Sequence, residues 1–360
     1  MDEPRWMIYG ATGYTGKLLV AEAVKRGYRP VIAGRSAEKL KAIAAPHGLA
    51  WQAFPVDNVV AVADALRQAE VRLVLHAAGP FTHTAAAMRR ACIQTGAHYL
   101  DITGEIGVFE ASFAADRMAR EAGVLVMSGV GFDIVPSDCL VKYVADQLPD
   151  ADTLDVVISA LSPSQEDFGV TAGTLKSLLE MLPGGVRVRR GGRLVPVDFG
   201  SLTRMVSLPR GTREALAIPW GDVSTAYRTT GIPNITVYMT LSRQQTLAAR
   251  YAGVVAQWLM RYAPVRRSAG RQIDRFVTGP TEHTRQTARA YIYARVENRA
   301  GEVREAWLET MEGYAYTVIA ALNAVDRALT DEYSGALTPA QAFGTEFALE
   351  VPTTRRMDTL

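Results

Sequence analysis

Short apolar runs alternate with amphipathic stretches over the first 127 residues. Strand-like runs lie near Trp6, Val31, Trp51, Leu73, Tyr99 and Val124, and the residues between them carry apolar positions at helical spacing, as in Lys17–Arg26. Alternation of this kind predicts an α/β fold, a doubly wound parallel sheet with helices on both faces. After Gly129-Val130-Gly131-Phe132-Asp133 the rhythm changes. A helix is expected from about Pro136 to Gln147, a strand at Leu154–Ser159 and a helix from Thr171 to Leu182. Val186–Val197 alternates on either side of Gly191-Gly192 and reads as a β-hairpin. Its arginines are expected on the solvent face, as solubilising residues. Further strand-like runs at Asn234–Leu241, Ala288–Val296 and Glu302–Met311 predict a second, α+β domain with a mostly antiparallel sheet. The expected boundaries are 1–130 for the first domain, 131–330 for the second and 331–360 for a C-terminal segment.

Directly after the first apolar run comes Gly10-Ala11-Thr12-Gly13-Tyr14-Thr15-Gly16. In this setting Gly10 permits a tight turn, Gly13 lets backbone N–H groups approach a pyrophosphate, and Gly16 lets the following helix pack on the strand. The helix N-terminus supplies donors and a favourable dipole for phosphate. The expectation is a Rossmann-type dinucleotide site. At the end of the second strand, where an NAD-binding chain would carry an acidic residue for the ribose 2′-hydroxyl, this chain has Arg35-Ser36. A guanidinium and a hydroxyl suit a 2′-phosphate, so the predicted cofactor is NADP. The competing structural reading makes Arg35 a solvated residue and Ser36 the N-cap of the next helix.

With 360 residues, 48% of them hydrophobic, the chain has material for two cores. A formal net charge of +2 leaves no electrostatic footprint for nucleic acid. Cys92 and Cys139 are too few for a metal cluster or a disulfide scaffold; no metal is expected, and a reducing cytoplasm fits. The chain enters its first strand at once, with no predicted signal peptide, and no apolar run reaches membrane-spanning length. The longest apolar stretch, around Tyr251–Tyr262, is expected to pack in the core, with a homodimer contact as its alternative use.

Two further polar clusters belong at the rim formed by the carboxyl ends of the strands, where ligands sit in open sheets. They are Ala77-Ala78-Gly79-Pro80-Phe81 after the fourth strand and Asp101-Ile102-Thr103-Gly104-Glu105 after the fifth. Taken with GATGYTG and AGRS, the blocks AAGPF, GAHYLDITGE, GFDIVPSD, IPWGDVSTAY, TTGIPNI and LTPAQAFG resemble the saccharopine dehydrogenase-like oxidoreductases, in the branch that includes bacterial trans-acting enoyl reductases. The resemblance runs nearly the whole chain. It implies an NADP-binding Rossmann domain joined to an α+β domain that shapes the substrate pocket, with Leu337–Gly344 returning to the first domain. His76 departs from the small or amide residue expected before AAGPF.

The reaction implied is delivery of hydride from NADPH to an activated double bond, such as the C=C of an enoyl thioester, free or carrier-bound, or of a conjugated carbonyl. Gly79 and Pro80, with Ala78, would shape the nicotinamide site, and Thr103 and Glu105 would line its mouth. Proton-donor candidates are Tyr227, whose phenol donates while neutral, Asp222 and Asp133. Each has a structural reading beside it: a packed aromatic for Tyr227, a turn or cap for Asp222, a helix cap for Asp133. Ile218-Pro219-Trp220 suggests an apolar substrate. Arg204, Arg210, Arg213 and Arg228 keep open an imine (C=N) reductase acting on carboxylates, and the glycine turn with Arg35 alone would serve a non-catalytic NADP-binding regulator. The chain lacks a Tyr-x-x-x-Lys pair, which argues against short-chain dehydrogenase chemistry.

Overall fold

The computed structural model describes residues 5–161, 172–241, 258–277 and 279–360. Six of the apolar runs are strands: β1 (Trp6–Tyr9), β2 (Val31–Gly34), β3 (Trp51–Ala53), β4 (Leu73–His76), β5 (His98–Asp101) and β6 (Leu125–Met127). They form one parallel sheet, joined by β15 (Gly335–Ala336) from near the C-terminus, in the order β15-β6-β5-β4-β1-β2-β3. Strands covered on both faces are apolar along nearly their whole length, which explains the runs at β1, β2 and β6 and the first three positions of β4, where His76 ends the strand buried. Only β3, on the edge, exposes Trp51 and Ala53. The order reverses at β1, with β2 and β3 on one side and β4 to β6 on the other, so the neighbouring ends of β1 and β4 flank the crevice where such sheets bind ligands.

The chain divides into two units, Met1–Asp133 with Tyr316–Phe343 and Ile134–Ala315 with Gly344–Leu360. In the first, the return segment Gly335–Ala336 continues the sheet, and Asp116 accepts a hydrogen bond from the Ala336 N–H at 2.7 Å. The second holds a nine-stranded sheet made from β7 (Thr153–Leu161), β8 (Val186–Arg190), β9 (Arg193–Val197), β10 (Thr203–Leu208), β11 (Gly211–Ala217), β12 (Asn234–Thr240), β13 (Arg289–Glu297), β14 (Val303–Met311) and β16 (Arg355–Met357). All its pairings are antiparallel except β7 with β12. Val157, Tyr238, Tyr291, Tyr293 and Trp307 form a core on one face with Val186, Val206 and Leu208. Helix α7 (Val135–Asp146) packs against β13 and β14.

The hairpin at Gly191-Gly192 forms where alternation predicted it, but its arginines do not all face solvent. Arg189 is buried and donates to the carbonyls of Val223 and Gly192 at 3.0 and 2.8 Å. Arg190 reaches Thr236 Oγ1 at 2.9 Å. These guanidiniums cross-link the hairpin to its neighbours, a role invisible in a period-two pattern. The stretch Tyr251–Tyr262 is described only from Trp258 onward, residues 251–257 lying outside the described residues. Trp258 and Tyr262 are 53% and 50% exposed, so this end of the stretch is not core.

Trp307 packs its ring against Tyr293 at 5.3 Å and donates from Nε1 to the Ser207 carbonyl at 2.8 Å. Trp307→Ala is expected to destabilise the protein by about 3–5 kcal/mol, measured by denaturant unfolding. A cost below about 1 kcal/mol would show that this face is not the core of its sheet.

Candidate functional site

The site of the first unit begins with backbone sterics. Gly10 has φ of +94°, and a Cβ there would lie 2.7 Å from the carbonyl carbon of Ala77 and 2.8 Å from the nitrogen of Ala78. A Cβ on Gly16 would lie 2.1 Å from the Gly10 carbonyl oxygen. Strand β1, the turn after β4 and helix α1 (Tyr14–Lys25) therefore meet backbone to backbone, and glycine alone allows it. The Gly10 N–H donates to the Ala33 carbonyl at 2.8 Å and the Gly13 N–H to the Gly10 carbonyl at 3.0 Å, which closes the turn. Gly13 occupies the N-cap of α1 and makes no side-chain cap, so the N–H groups of Thr15 and Gly16 in the first turn are available to an anion.

Arg35 stands exposed at the end of β2 and makes no ion pair among the described residues. Its charge eases the Tyr9 phenol, which burial nevertheless pushes up to about 12. Ser36 caps helix α2 (Ala37–Ala44): its Oγ accepts from the Lys39 N–H at 3.4 Å. Both halves of the structural reading are met, a helix cap at Ser36 and a solvated guanidinium at Arg35, and a solvated guanidinium is also what a 2′-phosphate would need.

The turn Ala77–Pro80 links β4 to helix α4 (Phe81–Thr95) through a cis Gly79–Pro80 bond. Pro80 sits at the N-cap of α4 and has no capping side chain; Glu105 supplies the acceptor from 23–24 residues away. Its carboxylate accepts from the Phe81 N–H at 2.9 Å, the Thr82 N–H at 2.7 Å and the Thr82 hydroxyl. Thr103 Oγ1 accepts from the Glu105 N–H at 3.1 Å. Both side chains are buried, and these bonds tie the loop after β5 to the loop after β4. Asp101, to which the sequence pattern assigns no role, is the hub of this wiring. It accepts from the N–H groups of Thr103 and Gly129 at 3.0 and 3.1 Å and from the Ser128 hydroxyl at 2.8 Å. The available signal was an aspartate ending a buried strand, followed by Thr-x-Glu.

Asp133 lies against the same loop, its Oδ2 3.2 Å from where a Cβ on Gly104 would be. Some of its surface is accessible, but the carboxyl is enclosed enough that burial pushes it up to about 7. The glycine turn, Ala78 to Pro80, Thr103, Glu105 and Asp133 thus all belong to the first unit, in loops following β1, β4, β5 and β6.

The remaining candidates belong to the second unit, on or just before helix α9 (Asp222–Thr230). Asp222 is buried in the first turn of α9, while Trp220 and Arg228 are half-buried. The ring of Tyr227 lies 4.1 Å below the Arg189 guanidinium, and its hydroxyl is 3.1 Å from where a Cβ on Gly192 would be. The phenol rests against the turn of the β8–β9 hairpin, with the residue 36% exposed.

Residues 6–127 match the family model described as the saccharopine dehydrogenase NADP binding domain. Over these residues the first unit is similar to that NADP-binding domain. Trans-acting enoyl reductases of Mycobacterium leprae and Mycobacterium tuberculosis are 29% and 30% identical to this chain over 184 and 138 residues. Those matches cover 48% and 37% of this chain and 44% and 33% of the relatives, so the similarity spans less than half of the curated proteins' length. In fold, the chain is similar to saccharopine dehydrogenase (L-Glu forming) of Saccharomyces cerevisiae, with a TM-score of 0.61 at 12% identity over 96% of both chains. It is also similar to a homospermidine synthase of Legionella pneumophila in complex with NAD, with a TM-score of 0.65 at 10% identity over 99% and 91% of the two chains.

The NADP-binding domain fits its cofactor on this chain's own atoms: an uncapped helix N-terminus behind the glycine turn for a pyrophosphate, and an unpaired guanidinium at Arg35 for a 2′-phosphate. Among the described residues no group of three or more His, Cys, Asp or Glu could hold a metal ion, and no helix is long and apolar enough to cross a membrane.

A carboxyl raised to about 7 binds its proton more tightly in the folded than in the unfolded chain. It therefore subtracts stability as the pH rises from the ordinary carboxylate range through 7. Asp133→Asn is expected to melt with the wild type near pH 4 and at a higher temperature above pH 7. A difference that does not grow with pH would show that Asp133 ionises normally.

Proposed function

We propose that this protein is an NADPH-dependent reductase that reduces the C=C bond of an α,β-unsaturated acyl thioester or related conjugated carbonyl. The observation that carries this reading is the Asp133 carboxyl, set against the Gly104 loop at the rim of an NADP-binding domain and pushed up to about 7 by burial. NADPH, when bound, supplies the hydride. The protein must then hold the acceptor and deliver a proton where negative charge develops. Asp133 suits that task, since near neutrality it can both hold a proton and release it. Asp222 and Tyr227 are less suited: one is buried in the first turn of α9, and the other has its ring under Arg189 and its hydroxyl on a hairpin turn. Arg35 would bind the 2′-phosphate, and the first turn of α1 the pyrophosphate. The choice of C=C over C=N is supported by the relatives named as enoyl reductases and by Arg204, whose charge is already paired with Asp155. Trp220 and Arg228 remain the proposed substrate contacts of the second unit.

Purified protein is expected to oxidise NADPH in the presence of an enoyl thioester, and not with 2-oxo acids plus amines. The reverse preference would overturn the choice of bond, and tight NADPH binding without turnover on a broad acceptor panel would favour a regulator. Arg35→Ala should raise the KM for NADPH about 10- to 100-fold while leaving that for NADH nearly unchanged, as expected for loss of a charge-assisted hydrogen bond to phosphate. An unchanged preference would remove Arg35 from the site. The wild-type rate should fall as the pH rises through about 7, and Asp133→Asn should lose about 100-fold or more in kcat with NADPH affinity retained. Full turnover in that variant would exclude Asp133 as the acid.

A further inference from the structure

His76 ends β4 with no exposed surface, enclosed by the rings of Tyr9, Phe81 and Tyr99 at centroid distances of 5.4, 5.4 and 6.1 Å. Its Nε2 lies 2.9 Å from Thr84 Oγ1, and its buried Nδ1 has no hydrogen-bond partner. Thr84, in the first turn of α4, also lies 2.7 Å from the Ala78 carbonyl oxygen and 3.3 Å from that of Pro80. A hydroxyl has one proton, and a carbonyl can only accept, so the Thr84 proton goes to Ala78. Thr84 must then accept from His76, which places the imidazole proton on Nε2 and leaves Nδ1 bare. Burial holds His76 down at about 3, so the ring stays neutral and this arrangement persists across the working pH range.

The consequence reaches the surface one peptide away. In a trans peptide the C=O and N–H point in opposite directions, and the only cis bond in this turn is the next one, Gly79–Pro80. With the Ala78 carbonyl drawn inward to Thr84, the N–H of exposed Gly79 is turned outward. That N–H has no acceptor among the described residues. The same turn presses on Gly10, the start of the dinucleotide turn. We propose that His76 and Thr84 are positioning residues that set the Ala78–Gly79 peptide plane. They thereby present the Gly79 N–H as a donor to an oxygen of the nicotinamide half of the cofactor. This rests on the NADP reading above.

Three measurements test it. In the free protein, 15N NMR should show His76 as the neutral Nε2–H tautomer, with no titration between pH 5 and 9; a titrating ring or an Nδ1–H tautomer overturns the relay without any variant. Thr84→Val should weaken NADPH binding about five- to ten-fold, the loss expected for one hydrogen bond, while Thr84→Ser stays within about two-fold of wild type. The third measurement is the affinity for 2′-phospho-ADP-ribose, which lacks the nicotinamide and should bind wild type and Thr84→Val equally. Equal weakening of both ligands, or normal NADPH binding by Thr84→Val, overturns the proposal. Failure of the wild type to bind either ligand would instead overturn the NADP reading itself.

Discussion

The Gly10 carbonyl oxygen occupies space that a methyl group on Gly16 would need, and the other side of Gly10 presses on the backbone of Ala77 and Ala78. Three elements distant in sequence, β1, α1 and the turn after β4, are packed there without side chains between them. This close approach draws the uncapped end of α1 up to the strand ends at the point where the sheet reverses its order. A Cβ at either glycine would have to push backbone aside, and neighbouring backbone in a parallel sheet has little room to yield. The dinucleotide site is thus a consequence of how β1, α1 and the turn after β4 pack against one another.

Around that contact the polar residues of the rim are largely used to hold loops. Glu105 caps a helix whose N-cap is a proline with no side-chain acceptor to offer, and Asp101 gathers two backbone N–H groups and a hydroxyl. Each such hydrogen bond contributes on the order of 1 kcal/mol, and leaving one of these buried groups unpaired would cost more, which keeps the two loops in fixed register. The polar groups of this rim that stay without a partner among the described residues include the Gly79 N–H, the Arg35 guanidinium and the Asp133 carboxyl. A rigid frame with a small number of uncommitted polar atoms is what a cofactor site requires, since any freedom in the frame becomes freedom in the distance between reacting atoms.

The apolar runs of both sheets were readable because burial on two faces, or alternation on one, leaves a periodic trace within four to nine residues. The glycine turn and the Gly-Gly hairpin were equally local. By contrast, Arg189 and Arg193 look alike in the hairpin's sequence, yet Arg189 is spent on the carbonyls of Val223 and Gly192 while Arg193 is exposed. Ser36 and Arg35 were read together as a phosphate pair, but the hydroxyl is engaged by the helix it starts. Whether a polar side chain is available depends on what lies opposite it, and that partner is as a rule far away in the chain.

The amino-acid sequence by itself determined the strand pattern of the parallel sheet, the place of the phosphate turn and the basic residue that favours NADP. Each is encoded in neighbouring residues by periodicity, by the freedom of glycine or by charge. Only the tertiary structure decided that Glu105 serves the start of α4, that His76 is locked neutral behind Thr84, and that burial pushes the Asp133 carboxyl up to about 7. Those properties come from desolvation and from partners across the sheet, and neither exists until the chain has folded.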